Sequence, residues 1–187
     1  MKKLILYYLL IIGVVIAGFI PFLSAEFLSN FSSSIGLWFQ QFEFNASFYY
    51  VLRWIGFELK GYNTIGTLGK VLLVLVVVIL LGLSFFRKNS SKQQLLSTLL
   101  FGVSIYFFLS TTVHPWYVAT PLLLSIFTRF KFVMVWSLLV VLSYYAYSNP
   151  GYRENLWLVA LEYIVVIGYF ISEVYQENRR ATLSAVD

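Results

Sequence analysis

Long apolar runs alternate with short polar stretches along the chain, and this pattern predicts helices that cross a lipid bilayer. Six such runs cover residues 4–23, 68–86, 95–112, 116–127, 132–147 and 156–171. A spanning helix needs about 20 apolar residues, although shorter runs reach across when flanking side chains extend to the headgroups. The fourth run is the weakest, because it is short and Pro121 in its middle is expected to kink it. The pattern predicts an all-α polytopic membrane protein of about six spans in a single membrane domain, residues 1–187.

The basic residues test this arrangement through the positive-inside rule. With the amino terminus in the cytoplasm, nine basic residues fall on the cytoplasmic side: Lys2, Lys3, Arg87, Lys88, Lys92, Arg129, Lys131, Arg179 and Arg180. Four fall outside: Arg53, Lys60, Lys70 and Arg153. Joining the fourth and fifth runs would put the termini on opposite sides and spoil this bias. We therefore expect both termini in the cytoplasm, with a polar cytoplasmic tail over residues 173–187 that frays beyond Arg180.

The composition also indicates a bilayer as the solvent. Of 187 residues, 60% are hydrophobic and 11% are charged, and the mean hydropathy is +0.81. Soluble domains carry roughly 25% charged residues. The chain has no cysteine, one histidine, and a single aspartate at Asp187, so no thiolate, His-rich or paired-Asp metal site is available. These values exclude a soluble enzyme and a nucleic-acid binder despite the net charge of +5, and we expect no cofactor and no metal.

The first run also fits a secretory signal peptide, because Lys2 and Lys3 precede it and Ser24 and Ala25 follow it. A run of about 20 residues is long for a signal core, which favours a retained helix. In both cases the stretch that follows lies outside the cytoplasm.

That stretch, residues 24–67, is an external connection rich in aromatic residues, a composition typical of elements at the boundary between membrane and water. Residues 48–59 place five side chains at helical spacing: Tyr49, Leu52, Ile55, Gly56 and Leu59. Arg53 points away from that face. We predict an interfacial helix here, with a simple membrane anchor as the alternative.

The first candidate for chemistry is the only histidine, His114, in the string STTVHPWY between the third and fourth runs. Pro115 biases His114 away from helix, so the chain turns there at the external mouth of the bundle. An imidazole in that place can donate to a phosphate or a sugar hydroxyl, or act as a general base. Alternatively, His114 caps a turn while Trp116 and Tyr117 belong to the aromatic belt.

The second candidate is Glu162, inside the last apolar run, because ionisable groups within spans usually face protein or water. Glu154, Leu158 and Glu162 are spaced to share one helix face. Glu162 would lie roughly 10 Å below the external boundary at a rise of 1.5 Å per residue. The alternative is a buried neutral acid hydrogen-bonded to a tyrosine.

The third candidate is the string FEFNASFYY followed by Arg53, on the external side. Arg53 could bind a phosphate, and Glu43 with Asn45 could fix sugar hydroxyls. The rings of Tyr49 and Tyr50 could stack on a sugar face.

Three strings of the sequence resemble the carboxy-terminal half of bacterial multi-spanning mannosyltransferases of the GT-C class, most closely the Bacteroidetes members. They are FSSSIGLWFQQFEFNASFYYVLRWIG, SIYFFLSTTVHPWYVATPLLLSIF and NLWLVALEYIVV, and the resemblance covers about residues 20–172. It implies an inverting enzyme of the inner (cytoplasmic) membrane that takes mannose from a polyprenyl-phosphate donor on the external face. The matching motif positions are His114, Trp116, Tyr117, Glu43, Asn45, Tyr49, Tyr50 and Arg53.

Such enzymes carry a catalytic carboxylate, usually an aspartate, in an amino-terminal module, whereas this chain offers only Asp187. The resemblance thus implies a donor-side half, inactive alone, in which Arg53 and His114 stabilise the phosphate. Its expected partners are the lipid-linked sugar donor, membrane lipids and a separate amino-terminal module, with no nucleic acid. The alternatives are a non-catalytic scaffold or assembly subunit, and a small transporter suggested by Glu162, although no internal repeat supports a transporter.

Overall fold

The computed structural model describes residues 2–183, and within that range the chain is helical, with a single isolated β-bridge and no strand. The α-helices are α1 Lys2–Phe19, α2 Ala25–Gln41, α3 Phe48–Lys60, α4 Ile65–Phe86, α5 Lys92–Leu109, α6 Ala119–Ile126, α7 Phe132–Leu139 and α8 Leu156–Leu183. Three 3₁₀ helices occupy Ile20–Phe22, Pro115–Val118 and Val140–Ser148. The chain divides into two compact units, Met1–Gln41 and Phe42–Asp187. The end of the predicted tail, residues 184–187, lies outside the described residues.

Three stretches of helix are long and apolar enough to cross a membrane: Ile5–Phe22, Ile65–Phe86 and Leu156–Arg179. They bury little of their surface within the protein, and α4 buries only Leu72 and Val76 of its 22 residues. A helix that is apolar all round, yet not covered by protein, needs lipid around it. These three helices indicate a membrane protein.

Two further apolar stretches are shorter, Pro115–Ile126 and Phe132–Ser148. The second ends in nine residues of 3₁₀ helix, which rises about 2.0 Å per residue, so the whole stretch reaches roughly 30 Å, the thickness of a bilayer core. The first reaches only about 20 Å by the same geometry. Pro121 is the third residue of α6, where backbone N–H groups have no intrahelical partner. Pro121 therefore costs α6 no α-helical hydrogen bond, and the predicted kink at this residue stays a prediction.

Capping residues explain where α5 begins and where α3 ends. Ser91 and Gln94 form a capping box, each side chain accepting from the other's backbone N–H at 3.2 Å, so α5 begins at Lys92 rather than at residue 95. Gly61 ends α3 with a φ of 75°, a left-handed conformation that favours glycine. The helix predicted over residues 48–59 is confirmed as α3, and its position at the membrane boundary stays a prediction.

The apolar pattern did not predict α2, which occupies much of the connection described above as an external aromatic stretch. The Ser24 hydroxyl accepts from the Phe27 backbone N–H at 3.0 Å and so begins this helix. The rings of Phe27 and Phe31 stack one turn apart, with centroids 5.7 Å apart. Ser24, a residue type favoured at the N-cap, and Glu26 in the first turn were the sequence signal for this start.

The unit formed by residues 42–183 is a bundle in which α4 packs on α5, α5 on α6, α6 on α7 and α7 on α8, while α3 contacts α4 and α5. Its interior is aromatic. Trp136 and Phe132 are fully buried, and the Phe108 ring lies 5.0 Å from the Trp136 ring. This packing fixes the indole N–H of Trp136 inside the bundle, where it needs an acceptor.

The predicted fraying beyond Arg180 is wrong for residues 181–183, because α8 continues through them to Leu183. Glu173 on this helix accepts from the backbone N–H groups of Lys131 and Phe132 at 2.9 Å. A carboxylate at that place satisfies the free donors at the start of α7. The carboxy-terminal part of α8 is thereby tied to the loop before α7.

Candidate functional site

The two motif strings singled out above lie side by side. The backbone N–H of Phe44 donates to Thr111 O at 3.1 Å, and the N–H of Val113 donates to Phe44 O at 2.8 Å. The Thr112 hydroxyl donates to Phe42 O at 3.0 Å. Segment 42–47 is therefore held against the turn after α5, at the Leu109 end of that helix.

Asn45 is the centre of a buried polar network. It is fully buried and has a φ of 45°, in the left-handed region that asparagine adopts more readily than most residues. Its backbone N–H donates to Glu154 Oε1 at 2.6 Å, and its Nδ2 donates to Glu162 Oε1 at 3.2 Å. Its carbonyl oxygen accepts from the Tyr163 hydroxyl at 2.7 Å. One residue of the loop thus joins Glu154, which precedes α8, to two residues on α8.

Glu162 is fully buried, and its Oε1 also accepts from Trp136 Nε1 at 2.9 Å. The two groups that donate to Glu162 Oε1, Asn45 Nδ2 and Trp136 Nε1, are both neutral. The predicted tyrosine partner of Glu162 is wrong, because Tyr163 donates to Asn45 instead. Among the described residues, Glu162 Oε2 and Asn45 Oδ1 are buried without a hydrogen-bond partner.

Glu154 does not share a helix face with Glu162 as predicted, because α8 begins only at Leu156. The two carboxylates are brought together through Asn45 instead. The Tyr50 hydroxyl donates to Glu154 Oε2. Burial raises the pKa of Glu154, and the hydrogen bonds from Tyr50 and Asn45 offset part of that rise. Burial and the nearby carboxylate likewise raise the pKa of Tyr50, which keeps its proton for this hydrogen bond.

The outer rim of the network carries the one salt bridge among the described residues, between Arg53 Nη1 and Glu43 Oε2 at 2.8 Å. Both side chains are about a quarter exposed, at 27% and 22%. The Arg53 guanidinium also lies over the Tyr50 ring, 4.6 Å from its centroid. Asn63 Nδ2 donates to Glu43 Oε1 at 3.0 Å, and Asn63 Oδ1 accepts from the Tyr49 hydroxyl at 3.4 Å. Solvent therefore reaches Arg53 and Glu43 but not the interior of the network.

Tyr49 lies on α3, as Arg53 does, but its side chain is fully buried. Burial, with a further contribution from Glu43, raises the pKa of its hydroxyl, so it stays protonated. The ring is out of reach of a ligand on the surface, and the predicted stacking of Tyr49 on a sugar has no support in this geometry.

His114 lies in a cluster of rings next to the network. It is 7% exposed, its ring stacks on Trp116 at 4.4 Å and 7°, and Phe44 lies on it at 5.1 Å. Tyr117 meets it edge-on at 5.3 Å. Burial lowers the pKa of His114, which favours the neutral imidazole. Trp116 is 57% exposed and forms the outer surface of the cluster.

An apolar groove of about 360 Å³ lies between α3 and α8 and adjoins the polar rim. Its lining residues are Ala46, Ser47, Phe48, Tyr50, Val51, Leu156, Val159, Ala160, Tyr163, Ile164 and Ile167. Tyr50 connects the two features, because its ring lines the groove and lies under Arg53. The groove can accept an apolar chain next to a partly exposed cation.

Sequence reasoning missed Trp136, Tyr163 and Asn63, and it gave Glu154 no role of its own. A tryptophan or tyrosine inside an apolar run needs a hydrogen-bond partner when it is buried, and that was the available signal. No group of three or more His, Cys, Asp or Glu side chains suited to a metal ion occurs within residues 2–183.

The described residues thus define a helical membrane protein with a buried carboxylate network at one end of its bundle. No protein-family model matches the chain, and comparisons with curated proteins and with solved structures gave no match either. The resemblance to GT-C mannosyltransferases stays a prediction.

Proposed function

We propose that this protein binds a polyprenyl-phosphate-linked sugar and acts as the donor-side half of a GT-C-type mannosyltransferase. In this proposal it crosses the bacterial cytoplasmic membrane six times, with both termini in the cytoplasm and the network on the external face. The observation that carries the proposal is the apolar groove joined through Tyr50 to the partly exposed pair of Arg53 and Glu43. Mannose as the sugar rests on the sequence resemblance.

The groove supplies a place for the isoprenoid chain. Its walls come from α3 and α8 and are almost wholly apolar, because the hydroxyls of Tyr50 and Tyr163 are engaged within the network. Because the isoprenoid chain is already in an apolar solvent in the bilayer, the groove contributes packing contacts and a fixed position rather than a transfer free energy from water. A ligand held in this way places its headgroup beside Arg53.

The rim supplies the polar contacts. A phosphate would replace Glu43 on the Arg53 guanidinium through charge-assisted hydrogen bonds, leaving the Glu43 carboxylate to accept from sugar hydroxyls. The exposed ring of Trp116 offers a flat surface for a sugar face. The buried residues Asn45 and His114 act as positioning residues in this scheme.

The reaction in this proposal is an inverting transfer at the anomeric carbon. An acceptor hydroxyl oxygen forms the new bond to that carbon while the bond to the phosphate oxygen breaks. The polyprenyl phosphate leaves with the electron pair, stabilised by Arg53, and the hydroxyl proton passes to a base. That base would come from a separate amino-terminal module.

Binding of polyprenyl phosphate to the purified full chain in uncharged detergent tests the proposal directly. We expect saturable binding, weakened at least tenfold, or about 1.4 kcal/mol, in Arg53→Gln. Lys60→Gln removes the same charge from the exposed last turn of α3 and should change affinity less than twofold. Glu43→Gln removes the carboxylate that competes with the phosphate for Arg53, and it should tighten the binding of polyprenyl phosphate. Absence of saturable binding, or equal affinity of Arg53→Gln and wild type, would contradict the proposal.

Transfer itself is tested in membranes that contain the chain together with an amino-terminal GT-C module. We expect mannosyl transfer from the lipid donor only when both are present, and a loss of at least tenfold with Arg53→Gln. Lipid binding without any transfer would separate the binding step from the enzymatic assignment.

A non-catalytic scaffold is the second candidate, and the buried bonding of Asn45 to Glu154 and Glu162 favours it. That network immobilises the loop, and its central residues Asn45 and Glu162 are fully buried. A scaffold predicts a folded, stable chain with no saturable polyprenyl-phosphate binding, so the same titration distinguishes the two candidates.

A further inference from the structure

A second cavity lies at the other end of α5, roughly 27 Å from the network by the rise of an 18-residue helix. We infer that this cavity binds the phosphate group of an anionic phospholipid headgroup between Arg87 and Arg129. The inference concerns a different site from the one proposed for the sugar donor, and it does not depend on that function.

The cavity has a volume of about 260 Å³ and a polar lining. Arg87 comes from the connection after α4, and Arg129 comes from the connection between α6 and α7. Glu177 on α8 is the single acid that lines it, so the cavity carries two positive charges against one negative charge. An anion is therefore the complementary ligand.

Both arginines are available for an anion. The one salt bridge within 4.0 Å among the described side chains joins Arg53 to Glu43, so neither cavity arginine has to leave such a partner. Arg87 is held in place, because its guanidinium lies over the Phe101 ring, 4.5 Å from the centroid. A planar guanidinium fixed in this way is suited to phosphate oxygens.

The surroundings favour a lipid phosphate over a free phosphate ion. Arg87 directly follows the candidate span Ile65–Phe86, and Phe86 at its end is 91% exposed. Leu81 and Phe85, on the same helix, are also exposed. A lipid can therefore lay its acyl chains on the apolar surface of α4 while its headgroup enters the cavity.

The experiment uses the full chain purified in uncharged detergent, with dioleoylphosphatidylglycerol as the probe and dioleoylphosphatidylcholine as the neutral comparison. We expect bound phosphatidylglycerol in native mass spectra and a higher Tm with that lipid only. Arg87→Gln combined with Arg129→Gln should weaken its binding at least tenfold. Lys88→Gln combined with Lys92→Gln removes the same charge from the neighbouring surface, outside the cavity lining, and should keep affinity within twofold.

Arg129→Gln alone leaves the Arg87 contact with Phe101 intact, and it should still lower affinity at least threefold while the helical circular dichroism is unchanged. Equal losses in the arginine and lysine pairs would mean diffuse surface attraction and would overturn the inference. Equal stabilisation by inorganic phosphate alone would overturn the assignment to a lipid. Equal binding of the two lipids would do the same.

Discussion

The charged side chains at the two ends of α5 differ in sign and in surroundings. At the Leu109 end, the carboxylates of Glu154 and Glu162 lie inside the protein and accept hydrogen bonds from loop and helix donors. At the Lys92 end, Arg87 and Arg129 line an open cavity. Buried polar groups must find partners within the protein, whereas exposed cations keep their capacity for a ligand. The first end therefore ties segment 42–47 to α8 through buried polar groups, and the second keeps two arginines in the lining of a cavity.

The largest expected difference between the two ends is in their labelling from outside the cell, which should be all-or-none. It shows which end faces the outside. The chain contains no cysteine, so a single introduced thiol is the only one that a maleimide can label. We expect Ser148→Cys, at the network end, to react with a membrane-impermeant maleimide on intact cells. Ser90→Cys, between α4 and α5, should react only after the cells are opened. The reverse pattern would invert the proposed topology.

The next effect in size concerns the stability that Asn45 provides. Asn45→Ala removes the Nδ2 donor to Glu162 and places alanine at a φ of 45°, a left-handed conformation that asparagine adopts more readily than alanine. A lost donor to a buried carboxylate together with this strain should lower the free energy of unfolding by about 3 kcal/mol. Denaturant unfolding in detergent, followed by circular dichroism, measures it.

The matched control for that variant is Asn30→Ala on the exposed surface of α2, which should change the free energy of unfolding by less than about 0.5 kcal/mol. If Asn45→Ala were as stable as this control, the network would not hold the loop. The contrast between the two ends of α5 would then disappear.

The smallest effect is a pH dependence at Glu154. Because burial raises the folded-state pKa of Glu154 above its ordinary value of about 4.5, the folded state binds its proton more tightly than the unfolded state does. Its contribution to stability is complete below pH 4.5 and is lost as pH rises through the folded-state pKa. We expect Glu154→Gln to flatten that part of the curve of unfolding free energy against pH.

Glu58→Gln on exposed α3 is the control, and its curve should overlay that of the wild type. A Glu154→Gln curve as steep as the wild-type curve would show that this carboxyl is not shielded from water. That result would make the network end resemble the open arginine end.

The sequence predicts the long helices well, because α4 and the first part of α8 are set by uninterrupted apolar residues whose burial in lipid does not depend on neighbours. The borders are less predictable. The start of α5 depends on the side-chain cap from Ser91, and its end depends on the bridge that Phe44 makes with the turn beyond Leu109. Apolar periodicity contains neither signal.

The candidate site shows the same division. The strings around Asn45 and His114 are recognisable, and the structure brings them together. Residue spacing does not predict which side chains surround them. Trp136 and Tyr163 lie in apolar runs, where the sequence does not distinguish them from ordinary core residues. Which donor meets Glu162 is decided by tertiary packing between α7 and α8.

The bond between Asn45 and Glu162 joins residues 117 positions apart. At roughly 5–20 residues per second, the ribosome needs about 6–23 s after making the loop before Glu162 exists. During that time segment 42–47 has its polar groups but not their final acceptors on α8. The loop can therefore reach its final conformation only after the last helix has been synthesised.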